Sequence, residues 1–357
     1  MAKTRLVQLR SAKSINTADT ETIDINLSKP ITNFVIETKC TNNGATPTAH
    51  GAAVVSKIEL VDGSDVLFSL TGHETQALNF YEKGHMPFQV NEYRNDVMNI
   101  QTFEINFGRV MWDKDLALDP RRFNNLQLKI THNKALGGSS PDAGTLSVFA
   151  NVFDNMPVTP RGFLMSKEIK QYPLVASAHE YTDLPTDYRI RKLFIQSYAA
   201  DLQPWQQYNK VKLHVDDGAS VLIDDVSTSD LLKLYMPDRR IVESVLGTGT
   251  GSAVTHYLAA SYDVYGSLTG FDTATTTNFA QQSYGGTVDI GFDNAEHFQS
   301  VFQGLAPHGT MEIPFGVQNM MDDWLEVSLI KSLKLDITAG SSASGTVQIF
   351  LQQMRTY

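Results

Sequence analysis

Alternation of apolar and polar residues dominates the chain. Val55-Ser56-Lys57-Ile58-Glu59-Leu60, Leu126-Gln127-Leu128-Lys129-Ile130, Lys210-Val211-Lys212-Leu213-His214-Val215 and Leu333-Lys334-Leu335-Asp336-Ile337 all repeat with period two. That period sets one side of an extended strand on a core and the other in a wetter setting. Clusters of Gly, Asn, Asp and Ser separate the runs, as tight turns require. Amphipathic helical patterns are few and short. The pattern predicts an all-β protein.

The runs also occur twice in the same order. Ser56–Leu70 resembles Asn209–Ile223, with Lys57 on Lys210, Gly63 on Gly218 and Val66 on Val221. Downstream, Tyr81 falls on Tyr235, Phe107 on Phe315, Ile130 on Ile337 and Thr145 on Thr346; upstream, Ile36 falls on Ile195. Six ordered matches predict a duplicated unit. Each unit reads as strand, Asp-Gly turn, strand, short helix, further strands and a closing strand. In the second helix Thr228 or Ser229 can cap, with Leu231, Leu232 and Tyr235 on one side; Ala77, Leu78 and Tyr81 do the same in the first.

The spacing between matches places an insertion in the second unit. Tyr81 and Phe107 are 26 positions apart, and Tyr235 and Phe315 are 80. The extra chain, rich in Gly, Ser and Thr from Ser244 to Thr287, predicts a polar excursion into solvent, with hairpin-like pieces such as Ala259 to Val264. The expected organisation is an N-terminal arm over 1–30, a first sandwich over 31–156, a linker over 157–188 and a second sandwich over 189–357, its insertion spanning about 241–297. Pro157, Pro160, Pro173 and Pro185 make the linker read as extended chain.

Composition narrows the function. The 357 residues are 42% hydrophobic and 19% charged, with 29 Lys plus Arg against 39 Asp plus Glu. A net charge of −10 opposes general or specific nucleic-acid binding, which needs a basic footprint. The charge is polarised. No Lys or Arg occurs from Ile241 to Ile330, where Glu243, Asp263, Asp272, Asp289, Asp293, Glu296, Glu312, Asp322, Asp323 and Glu326 give an acidic face; Lys3, Arg5, Arg10 and Lys13 precede the first acid. Two readings stand: a mobile basic tail with a solvated acidic face, or two functional sides, one meeting an anionic surface. The single cysteine, Cys40, cannot close an internal disulfide or complete a Cys-based metal site. The basic N-terminus lacks the apolar run of a secretory leader, and no run is long enough for a spanning helix.

Catalytic constellations are not found. His73-Glu74 lacks a second His four positions on, Gly247–Ser252 lacks the Lys-Ser/Thr of a phosphate loop, and no Gly-x-Ser-x-Gly elbow occurs. Asp216-Asp217-Gly218 and Asp224-Asp225 miss calcium-loop spacing and read as strand turns. The nine His are scattered and read as surface or core residues. Asp119-Pro120-Arg121-Arg122 is a turn signature, with a partner's carboxylates as the other reading of its arginines. Trp112, Trp205 and Trp324 read as core or interface anchors, sugar stacking staying open for Trp205. The Asn26-Leu27-Ser28 sequon carries no weight without export. No catalytic, cofactor or metal site is expected.

Each unit of about 150 residues fits an eight-stranded jelly roll. Phe103–Asn133, Met311–Thr338 and Leu184–Tyr198, with the tandem units, the short helix, the Pro-rich connection and the enlarged loop, resemble the double jelly-roll major capsid proteins of tailless, often membrane-containing icosahedral bacteriophages and related viruses. The resemblance covers the chain from about Ile31 onward. It implies pseudo-hexameric homotrimers tiling a virion shell after assembly in the host cytoplasm, with minor capsid and vertex proteins as further partners. It implies that 244–287 forms an outer tower. It also implies that Lys3, Arg5, Arg10 and Lys13 form an inner arm near an internal viral membrane. The alternatives are a carbohydrate-binding or adhesive tandem β-sandwich and a jelly-roll hydrolase, which needs two carboxylates across one groove.

Overall fold

A computed structural model describes residues 3–199, 201–236, 239–249, 253–270, 278–280, 285–292 and 296–357. The first half runs β1 (Thr4–Ser14), β2 (Asp19–Asp24), β3 (Ile31–Thr41), β4 (Val55–Asp62), β5 (Asp65–Leu70), helix α1 (Gly72–Lys83), β6 (Gln89–Glu92), β7 (Met98–Asn106), β8 (Leu126–His132) and β9 (Ala143–Phe153). The second runs β10 (Gly162–Pro173), β11 (His179–Leu184), β12 (Arg189–Gln196), the one-turn α2 (Pro204–Gln207), β13 (Tyr208–Val215), β14 (Ser220–Ser227) and α3 (Thr228–Tyr235). There follow β15 (Ile241–Gly249), β16 (Val254–Tyr257), β17 (Ala260–Gly270), β18 (Asn278–Ala280), β19 (Thr287–Phe292) and β20 (Glu296–Pro307). The chain closes with β21 (Thr310–Pro314), β22 (Leu333–Ala339) and β23 (Thr346–Thr356).

Both halves use one strand order. Sheet β1-β9-β3-β7 in the first matches β10-β23-β12-β21 in the second, and β2-β8-β4-β5 matches β11-β22-β13-β14. The two halves are therefore copies of one eight-stranded jelly roll. The inner ladders also share their register. Lys57 lies opposite Thr131 and Lys210 opposite Thr338; Ile36 lies opposite Val148 and Phe103, and Ile195 opposite Ile349 and Met311. Even the irregularities recur, between Ile31 and Asn33 in one copy and between Ile190 and Lys192 in the other. The alternating runs bury their apolar side as expected: Leu126, Leu128 and Ile130 in β8, and Leu333, Leu335 and Ile337 in β22. Full burial of such a side chain stabilises by roughly 1.5–3 kcal/mol.

Two boundary expectations are corrected. The arm, 1–30, is not a free tail, because β1 pairs with β9 and β2 with β8. The linker, 157–188, is not a connection between the rolls but part of the second one, because β10 pairs with β23 and β11 with β22. These are the same two opening strands of each roll: Asp24 and Asp183 hold equivalent places beside Gln127 and Lys334. The prolines sit outside or at the ends of those strands, where a missing N–H removes no ladder bond.

The insertion also differs from a solvent excursion. β15, β20 and β17 extend the first roll's sheet beyond β6, and β16-β19-β18 form a small sheet of their own. Tyr93 of the first roll joins Val245, Leu258, Val288, Ile290, Phe298 and Phe302 in a separate buried cluster. The hairpin piece at Ala259 to Val264 opens β17. Of Gly247–Ser252, residues 247–249 end β15 and 250–252 lie outside the described residues, as do Asp272 and Asp293.

Candidate functional site

The rolls meet along a buried seam. β5 runs parallel to β10 at Phe68–Ser166, and β6 runs parallel to β15 at Asn91–Val245. Helix α1 fills the space between. Thr71 caps it, its hydroxyl accepting from Glu74 N–H at 3.2 Å while Glu74 Oε2 accepts from Thr71 N–H at 2.7 Å. Gly84, at φ 78°, stops it. The helix is buried although many of its residues are polar, so its side chains need partners. Gln76 donates to Gln101 at 3.0 Å, Asn79 donates to the Glu104 carbonyl at 2.7 Å, and the Tyr81 hydroxyl donates to the Thr310 carbonyl of the second roll at 2.7 Å. In α3 the cap is Ser227, one residue before the expected Thr228 or Ser229; Ser227 Oγ accepts from Asp230 N–H at 3.2 Å.

Charges are buried across this seam. Lys192 pairs with Glu312, both about 97% buried by side chain, and Lys192 also donates to the Tyr81 carbonyl at 3.2 Å. Arg191 donates to Gln352 at 2.8 Å, lies 3.9 Å from Glu82 and sits over Trp324. Glu82 accepts from Asn106 at 2.7 Å and Gln352 at 2.7 Å. Burial pushes the Glu82 carboxyl up and the Lys192 ammonium down, the opposite charges pulling each back. A cavity of about 520 Å³ lies here, lined by Arg109, Arg191, Lys192, Arg239, Glu82 and Glu312 among others. Deeper in the insertion, Glu243 accepts from Ala259 N–H at 3.0 Å, Ala260 N–H at 2.9 Å and Asn91 of the first roll at 3.1 Å. Burial lifts its pKa to about 7. Glu243 and Glu312 are thus removed from the expected acidic solvated face.

Three histidines expected to be scattered converge at the seam. His50 precedes the short 3-10 turn Gly51–Val54, His73 sits in the first turn of α1, and His308 sits in the turn from β20 to β21. Ring centroids are 4.8 Å apart for His50 and His308, 4.7 Å for His73 and His308, and 6.1 Å for His50 and His73. Burial lowers all three pKa values, His73 to about 4. No local spacing announces this cluster, since its members come from three separate turns.

The remaining expected residues fall as follows. Arg5 lies 4.0 Å from Asp154, and Arg10 and Lys13 both approach Glu21; Lys3 is exposed. Asp216 accepts from Lys331 and Ser332 N–H, Asp217 pairs with Lys334, and Asp224 and Asp225 pair with Lys212 and Lys210. Asp119 caps the turn at Pro120–Arg122 and pairs with Arg121. Trp324 is buried, Trp112 packs edge-on against Phe153, and Trp205 is partly exposed with its indole N–H on Gln203 at 2.9 Å. Cys40 is buried, its thiol pushed up to about 11. No described helix is long and apolar enough to cross a membrane. Large apolar side chains lie exposed on corresponding loops of the two rolls, Val110 and Met111 in one and Val317 and Met320 in the other. Arg109 ties these loops together by donating to the Asn319 carbonyl at 3.0 Å.

Duplicated topology, in-register ladders and a helix-filled seam can be set beside known structures. The chain has the double jelly-roll fold. It is similar to the major capsid protein P2 of bacteriophage PM2, with a TM-score of 0.57, 12% identity and coverage of 99% of this chain and 98% of that one. It is likewise similar to the major capsid protein of Sulfolobus Turreted Icosahedral Virus, with a TM-score of 0.59, 11% identity and coverage of 99% and 97%. The PBCV-1 virus capsid gives 0.54 at 11% identity, covering 98% and 93%. No family model matches the sequence, and no curated relative matches it.

Proposed function

We propose that this double jelly-roll chain is the major capsid protein of an icosahedral virus, a structural rather than catalytic protein. The observation carrying the proposal is the full-length likeness to capsid proteins, joined to two rolls of one strand order with inner ladders in shared register, locked by a buried seam. A subunit with two equivalent rolls yields six around a threefold axis, so homotrimers become pseudo-hexameric plates that tile a shell. The paired loops carrying Val110, Met111, Val317 and Met320 offer apolar surface for subunit contact. The small sheet β16-β19-β18 of the insertion serves as the outward feature of the shell. Lys3, Arg5, Arg10 and Lys13 line the inner, membrane-facing edge. Three of them already approach acids of this chain, leaving Lys3 the freest for anionic headgroups, at roughly 1 kcal/mol per cation. Minor capsid and vertex proteins are the remaining partners, and the subunit passes from host cytoplasm to virion.

Native mass and negative-stain imaging test this. Three copies of the 39.6 kDa chain, about 119 kDa, holding together at micromolar concentration with a hexagonal outline are expected. A stable monomer overturns the proposal. Glycan binding abolished by Trp205→Ala would instead favour the adhesive tandem sandwich.

A further inference from the structure

We propose that His50, His73 and His308 form a site for one divalent transition-metal ion, zinc foremost, that fastens the first roll to the second. The inference is independent of the capsid reading. The candidate ligand nitrogens all lie within 4.8 Å of one another. Three buried nitrogens here, His50 Nε2, His73 Nε2 and His308 Nδ1, have no hydrogen-bond partner among the described residues. Such orphaned buried polar atoms call for an occupant. An all-imidazole set suits zinc and its late first-row neighbours, whereas calcium and magnesium want oxygen.

The tautomers can be followed. Gln76 spends its amide N–H on Gln101 at 3.0 Å and the Thr102 carbonyl at 3.2 Å, so its Oε1 is an acceptor. His308 Nε2 lies 2.9 Å from that Oε1 and therefore carries its proton, leaving a lone pair on Nδ1. An outer partner of this kind orients a metal-binding imidazole. His50 Nδ1 accepts from Ala52 N–H at 3.2 Å, which places its proton on Nε2. Ligation through Nε2 requires His50 to surrender that long, weak bond and move the proton to Nδ1. Zinc–nitrogen bonds of about 2.1 Å set ligand atoms roughly 3.4 Å apart in a tetrahedron, so the ligand atoms must draw together by up to about 1.4 Å. Water takes the fourth position. His73 and Tyr198 line a cleft of about 470 Å³ that gives access.

The test uses the full-length protein stripped with a chelator, then titrated with Zn²⁺ or Co²⁺. One ion per chain is expected, with a visible Co²⁺ spectrum of tetrahedral ligation by three imidazoles and a water. The melting midpoint should rise by roughly 4 °C at a hundredfold excess of Zn²⁺ over Kd. His73→Gln, at a partly exposed position, and His308→Asn, which tolerates the φ of 48° there, should each abolish the spectrum and the rise. Exposed His85→Gln and His179→Gln should leave both intact. No stoichiometric uptake at micromolar metal, or a spectrum and midpoint unchanged in His73→Gln, would overturn the site. Should His308→Asn fail to fold, His73→Gln decides alone.

Discussion

Between α1 and β7 the first roll places one short strand, β6; between α3 and β21 the second places six among the described residues, β15 to β20. The ladders flanking these two connections nevertheless keep the same register. A sandwich whose core lies between its sheets accepts a large insertion at such a connection, because lengthening a loop costs little and disturbs no ladder bond. The insertion is then put to use, extending the neighbouring sheet and anchoring on Asn91 and Tyr93 of the first roll. Twin positions diverge in the same way where the seam demands it. Glu104 and Glu312 are equivalent, as are Asn33 and Lys192. In the first roll Glu104 takes its cation from the end of α1, Lys83, at a partly exposed site, and Asn33 only hydrogen-bonds it at 3.4 Å. In the second roll the strand itself supplies the cation, and the pair is sealed from water.

The largest expected effect tests that divergence. Lys192→Met should cost about 3–5 kcal/mol, because it strands Glu312 as an uncompensated buried charge. Lys83→Met at the twin site should cost under about 1 kcal/mol, as exposed pairs do. Adding Glu312→Leu to Lys192→Met should recover most of the loss. Urea denaturation of the four proteins reads all three, and equal costs for Lys83 and Lys192 would erase the distinction drawn between the rolls.

Next in size is Glu243, which only the second roll possesses within its insertion. Its folded pKa of about 7 stands above the ordinary 4.5. The protonated form is thus favoured on folding; the resulting stability is full below pH 4.5 and is lost as pH rises through 7. The loss amounts to about 3 kcal/mol. Melting curves across pH 4.5–8 should show this slope in the native chain. Glu243→Gln should lie lower throughout, since its amide meets backbone donors, yet should lack the slope.

What the sequence revealed follows the same physics. Strands with one dry and one wet side announce themselves by alternation, so β4, β8, β13 and β22 were legible, and the repeat set their positions in one copy against those in the other. The opening strands were hidden for different reasons. β1 is an edge strand with irregularities between Gln8, Arg10 and Lys13, which break the period. β10 is buried from Gly162 to Ser166 and wetter beyond, and prolines bracket it. The histidine cluster and the sealed Lys192–Glu312 pair join distant turns and strands, a juxtaposition that topology creates and local spacing does not record.

The smallest expected effect separates the twin tyrosines that first revealed the repeat. Tyr81 is fully buried, its hydroxyl donating across the seam to the Thr310 carbonyl and lying 3.1 Å from Met236 Sδ. Tyr235, its counterpart, is only partly buried near the surface of α3. Tyr81→Phe keeps the ring and removes one buried bond, leaving the Thr310 carbonyl short of a partner, at about 1–2 kcal/mol. Tyr235→Phe should fall within about 0.5 kcal/mol of the native chain. If the two variants unfold at the same denaturant concentration, the Tyr81 hydroxyl contributes nothing to joining the rolls. The seam would then be held by packing and by its buried charges alone.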